Sequence, residues 1–147
     1  MSTKNLMIAL TTDEKDDFLP PPLWQQLNEL GVQLFWYRPD EANEIGWEAL
    51  FEQTQAEVLM TGWESPPLPN EVPIESIRPK YLCHLPGSVR KVVPRSWIEA
   101  GLQVTNWGGS VSHIVAECGL MLMLEGVRRS GYWNLRMHHS GAWKGSD

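Results

Sequence analysis

Positive charge is scarce in this chain. Twelve Lys and Arg stand against 18 Asp and Glu, a formal net charge of -6, and no basic run occurs. A polyanionic backbone or an anionic lipid surface recruits basic patches, so neither nucleic acid nor a membrane is an expected partner. Cysteine is nearly absent as well. Cys83 and Cys118 fall in apolar segments without CxxC spacing. No secretory signal is expected from the opening residues, and the two thiols are expected to be reduced packing residues. His84, His113, His138 and His139 form no HxxxH pattern, so no metal site is expected. Long hydrophobic runs are missing too. Leu6–Leu10 is too short for a signal core. The 14 residues from Ile114 to Val127 carry Glu117 and Glu125, short of the roughly 20 apolar residues that a bilayer span needs. The cytoplasm is the expected location. No GxSxG, no Cys/His dyad and no G-x-G-x-x-G occurs, and no acid–base pair is visible.

The chain does carry enough apolar residue for one ordinary domain: 42% of 147 residues, with 20% charged. Eight Trp and eleven Pro suggest loops pinned by rings and fixed φ angles. Short apolar runs at Leu6–Leu10, Val32–Tyr37, Glu57–Thr61, Tyr81–Leu85 and Leu102–Thr105 read as buried strands. Helical spacing predicts helices over Pro20–Leu30, Gly46–Thr54 and Pro94–Ala100, the first and last closed by Gly31 and Gly101. The Pro-rich stretch from Gly62 to Pro79 reads as a connection with at most one helical turn, near Ile74–Ile77. One long helix is expected from Ser112 to Trp133. Its middle, Cys118–Leu124, is seven apolar residues in a row, which leaves no polar face.

Strands alternating with helices imply right-handed crossovers and a parallel sheet. The expected fold class is α/β: a flavodoxin-like, doubly wound, five-stranded layer in the order 2-1-3-4-5, followed by a long apolar helix. Residues 1–111 are expected to form the substrate-binding layer and 112–147 a crossover helix and tail. Ligands in such sheets collect beyond the carboxyl ends of the strands. That selects the loops Thr11–Phe18, Thr61–Pro67, Leu85–Val92 and Asn106–Ser112. In LPGSVRKV, Gly87 lets the backbone approach a ligand, successive N–H groups suit a carboxylate, and Arg90 and Lys91 add positive potential. In NWGGS, the glycines permit positive φ, and Ser110 or Ser112 is available as N-cap. The acidic first loop, TTDEKDD, lacks the partner Asp and Lys of a receiver pocket: Thr61 and Asn106 stand where they would be. It also lacks the glycine of a flavin phosphate loop.

From Tyr81 to Gly145 the chain resembles the D-isomer-specific 2-hydroxyacid dehydrogenases. The residues that carry the resemblance are GLQVTNWGGSVSHIVAE (Gly101–Glu117), the Leu/Met-rich helix after it, Val127-Arg128-Arg129, and Gly141-Ala142-Trp143. They look like that family's G-x-x-V-x-N, its V-A-E opening an apolar helix, and its R-R and G-x-W. About half the chain is covered; residues 1–80 agree only through strand–helix alternation. The family's G-x-G-x-D after strand four is met by Gly87 alone, with Leu85 and Val89 in the other places.

The resemblance implies the substrate domain of an enzyme that passes hydride between a small 2-hydroxy or 2-oxo acid and NAD or NADP. By position, Pro86, Gly87, Ser88 and Val89 are expected at the substrate carboxylate, with Trp63 walling the pocket. Ser112 and Val115 are expected near the nicotinamide. The family's catalytic Arg, Glu and His lie beyond this segment, so no catalytic residue is expected in it. The chain alone is expected to be inactive and to bind no cofactor. The apolar helix is expected to have one side on its own sheet, the rest being covered by a second copy, making a homodimer, or by the tail. A stand-alone binding domain dimerising through that helix is the other reading.

Overall fold

The computed structural model describes residues 4–39, 46–71 and 79–141. The chain divides into two compact units, Met1–Gly108 and Gly109–Asp147. In the first unit the described elements are β1 (Asn5–Ala9), α1 (Thr12–Phe18), α2 (Pro21–Glu29), β2 (Gln33–Tyr37), α3 (Trp47–Thr54) and β3 (Val58–Thr61). They are followed by β4 (Tyr81–His84), a 3₁₀ turn (Val89–Lys91), α4 (Arg95–Glu99) and β5 (Gln103–Thr105). The second unit holds α5 (Ser112–Arg128) and α6 (Ser130–Ser140).

The sheet has five strands in the order β2-β1-β3-β4-β5, and every pairing is parallel. β1 is an interior strand, and its Met7, Ile8 and Ala9 are wholly buried. Side chains alternate across a strand, and β1 serves two cores for that reason. Met7 and Ala9 join Trp47, Leu50 and Phe51 of α3 and Trp97 of α4. Leu6 and Ile8 join Leu10, Leu19, Phe18 and the α2 residues Trp24 and Leu27. An apolar run without alternation is what a strand covered on both faces needs, and each large side chain so buried contributes about 1.5–3 kcal/mol. Indoles pin the connections: Trp47 Nε1 donates to Pro67 O (2.9 Å), Trp97 Nε1 to Pro69 O (2.7 Å) and Trp36 Nε1 to Leu10 O (3.0 Å). The helical turn expected near Ile74–Ile77 lies outside the described residues.

The acidic loop of the sequence reading is a helix. Thr11 accepts from Glu14 N (3.2 Å), and the Glu14 carboxylate accepts from Thr11 N (3.2 Å). This reciprocal capping box satisfies two donors that a new helix leaves open, and it starts α1 immediately after β1.

The single helix expected over Ser112–Trp133 is two. Arg129 is left-handed (φ 51°) and separates α5 from α6. Ser130 Oγ donates to Glu125 O (3.2 Å), a helix-end carbonyl that also accepts the Arg129 N–H. Neither Ser110 nor Ser112 caps α5: Val111 is the N-cap and makes no side-chain cap. No residue of α5 is buried. The two buried clusters that flank the sheet are formed by residues of the first unit. Cys118 is exposed on α5 rather than a packing residue, and Cys83 is half-buried in β4. No helix among the described residues is long and apolar enough to cross a membrane.

Candidate functional site at the carboxyl edge of the sheet

β3 and β4 end side by side, and their register sets Thr61 opposite His84. Both are buried, His84 with 1% of its surface exposed. Thr61 Oγ1 lies 2.9 Å from His84 Nδ1. The other ring nitrogen, Nε2, is also buried and makes no hydrogen bond among the described residues. Burial holds the His84 pKa below its ordinary value of 6.5, opposed by the Ser88 backbone and then by the Glu14 carboxylate. The Ser88 backbone is close enough to act on the ring, while Nε2 has no partner at hydrogen-bond distance and angle among the described residues. A neutral imidazole with one engaged and one unengaged nitrogen therefore sits at the strand end. A buried polar atom without a partner costs about 1–3 kcal/mol, so such an atom beside a cavity marks a place where a ligand would repay that cost.

The loop after β3 is fastened to the end of β1. Ser65 Oγ donates to Ala9 O (2.5 Å) and accepts from Gly62 N (2.7 Å), while Glu64 N donates to Glu14 Oε1 (2.9 Å). Gly62 is required in this arrangement, because a β-carbon there would lie 2.7 Å from both Glu14 Cδ and Leu10 Cδ2. The fastening presents Trp63 with 55% of its surface exposed. Its ring lies 4.9 Å from Phe18 and 6.0 Å from Trp107, the latter edge-on.

The loop after β4 leaves the ladder through Leu85, whose N donates to Thr61 O (2.9 Å). Trp107 N reaches Pro86 O (3.4 Å), and Asn106 Nδ2 donates to Gly87 O. The indole of Trp107 lies over Gly87; a β-carbon there would stand 2.9 Å from Trp107 Cε2. The 3₁₀ turn then closes with Val92 N and Val93 N both on Val89 O (3.0 and 2.9 Å). No acceptor among the described residues takes the N–H of Gly87, Ser88 or Val89.

A cavity of about 370 Å³ opens here, lined by Trp63, Glu64, His84, Ser88, Lys91 and Val92. A larger one, about 430 Å³, lies at the opposite edge among Lys4, Glu57, Lys80 and Tyr81. Its polar lining is already engaged in part, since Lys4 pairs with Glu57 at 3.1 Å. The smaller cavity has the buried unengaged nitrogen and the carboxyl-end position, and is the better candidate. Lys91 forms no ion pair among the described residues, leaving one cation at its wall.

Of the expected substrate residues, Trp63 and Ser88 line this cavity. Pro86 is buried, and Gly87 and Val89 are half-buried in the loop that frames it. Ser112 and Val115 lie in the second unit, on the first turn of α5, both exposed. His84 and Thr61 were not among the expected site residues, nor was Trp107. Their signal is faint: a His and a Thr at the ends of two apolar runs become neighbours only once β3 and β4 are paired. The described residues contain no group of three or more His, Cys, Asp or Glu that could hold a metal. No protein-family model matches the chain, and no curated protein is significantly similar to it.

Proposed function

We propose that this chain is the substrate-binding portion of an NAD(P)-dependent oxidoreductase interconverting a D-2-hydroxy acid and a 2-oxo acid, built as a flavodoxin-like layer and working in the cytoplasm. The observation that carries the reading is the meeting of Ser88, Lys91 and Trp63 around one small cavity at the carboxyl edge of the sheet, beside a loop whose Gly87, Ser88 and Val89 N–H groups have no acceptor among the described residues. Its volume is near the lower end of the usual range for small-molecule sites. The N–H groups of Gly87, Ser88 and Val89 and the Lys91 ammonium take the substrate carboxylate. Pro86, which has no N–H, shapes the turn. Trp63 covers the apolar side of the ligand.

A nicotinamide, when bound, supplies the hydride. The residues present do not fit it: the chain has no G-x-G-x-x-G. The reading requires a joined dinucleotide-binding segment that also brings the catalytic Arg, Glu and His, with Ser112 and Val115 nearest the nicotinamide; the chain alone is inactive. Two measurements test this. Calorimetry of the chain with a series of 2-oxo acids is expected to show binding, and titration with NADH none. The coding frame after Asp147 is expected to reach a G-x-G-x-x-G within about 30 residues. A natural stop codon there sinks the reading.

A second reading, a stand-alone binding domain that dimerises through α5, is favoured by one observation. Leu120, Met121, Leu122, Met123 and Leu124 are each 55–69% exposed.

A further inference from the structure

We infer that His84 is a ligand-binding residue whose Nε2–H donates to a carboxylate oxygen of a small acid seated between Trp63 and Lys91. The inference rests on the carboxylate site proposed above and adds to it a residue that no motif or resemblance indicated. Three observations support it. His84 lines the cavity; its Nε2 is buried and without a partner among the described residues; and its Nδ1 is held by Thr61. Thr61 is fixed opposite it by strand pairing. With Thr61 Oγ1–H donating to Nδ1, the neutral ring carries its proton on Nε2 and offers it to an acceptor. Desolvation favours that neutral form.

The charges around the ring are mixed: the Glu14 carboxylate acts on it, and one cation stands at the cavity wall to meet an anion. Lys91 lines the cavity on the side of the 3₁₀ turn. The nearby Glu14 carboxylate is occupied by the N–H groups of Thr11 and Glu64. Glu64 is also at the wall, with its side chain exposed. The Trp63 ring selects a ligand with a flat apolar group next to its carboxylate.

The test uses the full chain at neutral pH and two acids of one skeleton, phenylpyruvate and 3-phenylpropionate, which lacks the 2-oxo group. His84→Asn keeps a side-chain nitrogen or oxygen near Thr61 and removes the Nε2 donor; His84→Gln restores a donor near Nε2. His84→Asn is expected to weaken both acids by about tenfold or more, and His84→Gln by much less. Unchanged affinity in His84→Asn overturns the inference and leaves the dehydrogenase reading intact. If both acids bind equally and both depend on His84, the inference holds and the 2-oxo acid reading loses its support. Should the variants fail to fold, the His84 Nε2 resonance of the unaltered chain decides. A shift on saturation with 3-phenylpropionate is expected; an unmoved resonance, or no binding of either acid, overturns the inference.

Discussion

Thr61 Oγ1 and His84 Nδ1 lie 2.9 Å apart, buried together at the paired ends of β3 and β4. Thr61→Val has nearly the same shape and removes only the hydroxyl, leaving His84 with both nitrogens unengaged. The expected cost is about 1–3 kcal/mol, the desolvation penalty of a buried polar group without a partner. Urea unfolding monitored by tryptophan fluorescence measures it. A loss within error of zero would mean that the pair contributes nothing.

The same histidine gives a sign for the pH dependence. Burial lowers its folded pKa below 6.5, so below that pH the unfolded chain binds the proton more readily than the folded one. Stability carried by neutral His84 is complete above 6.5 and declines as the pH falls from there toward the depressed folded value. Glu14 and the Ser88 backbone oppose the depression, and Lys91 and Glu64 share the cavity wall. His84→Gln is expected to flatten the stability slope in that window. An identical slope in the variant refutes the assignment.

Gly62 stands where three segments meet. A methyl there would press on Glu14 Cδ and Leu10 Cδ2, each at 2.7 Å, and Glu14 is held by its capping box and by Glu64 N. Gly62→Ala is expected to cost about 1–3 kcal/mol through overpacking and to loosen the Trp63 loop. Thermal melts read the first effect, and faster hydrogen exchange at Glu64 N reads the second.

What could be read in the sequence followed what is local. The five strands announced themselves as short apolar runs closed by turns, because a strand covered on both faces must be apolar throughout. Gly31 and Gly101, both with positive φ, ended their helices as expected. α1 was equally legible as T-x-x-E (Thr11 to Glu14), but the carboxylates around it suggested an open loop. The break at Arg129 was not legible: an arginine with positive φ is rare, and nothing in RRSGYW separates it from a continuing helix. His84 escaped for a different reason. Its meaning depends on Thr61, 23 residues earlier, and only strand pairing makes them neighbours. Gly87 was read as permissive, whereas the structure gives a steric reason, the Trp107 indole.

Trp63 separates binding from stability. With half its surface exposed, its removal takes away ring contacts with Phe18 and Trp107 but little buried area. Trp63→Ala is expected to cost about 1 kcal/mol or less in folding. It should weaken phenylpyruvate several-fold more than pyruvate, which has no flat group to set against the indole. Equal losses for both acids would show that the ring does not touch the substrate side chain.

The apolar length of α5 predicts self-association. Leu122 and Met123 are 61% and 69% exposed, with Leu120, Met121 and Leu124 beside them. Contiguous exposed apolar surface of this kind marks an interaction site, and in a purified chain a second copy is the partner at hand. Two facing helices each contributing several such side chains gain roughly 1.5–3 kcal/mol for every one fully covered, set against the cost of association. Sedimentation is therefore expected to show a concentration-dependent dimer. Leu122→Glu and Met123→Glu should shift it to monomer without lowering the stability of the sheet unit, whose cores use neither residue. A chain that stays monomeric at high concentration would leave the carboxylate site as proposed and remove the basis for a dimer through α5.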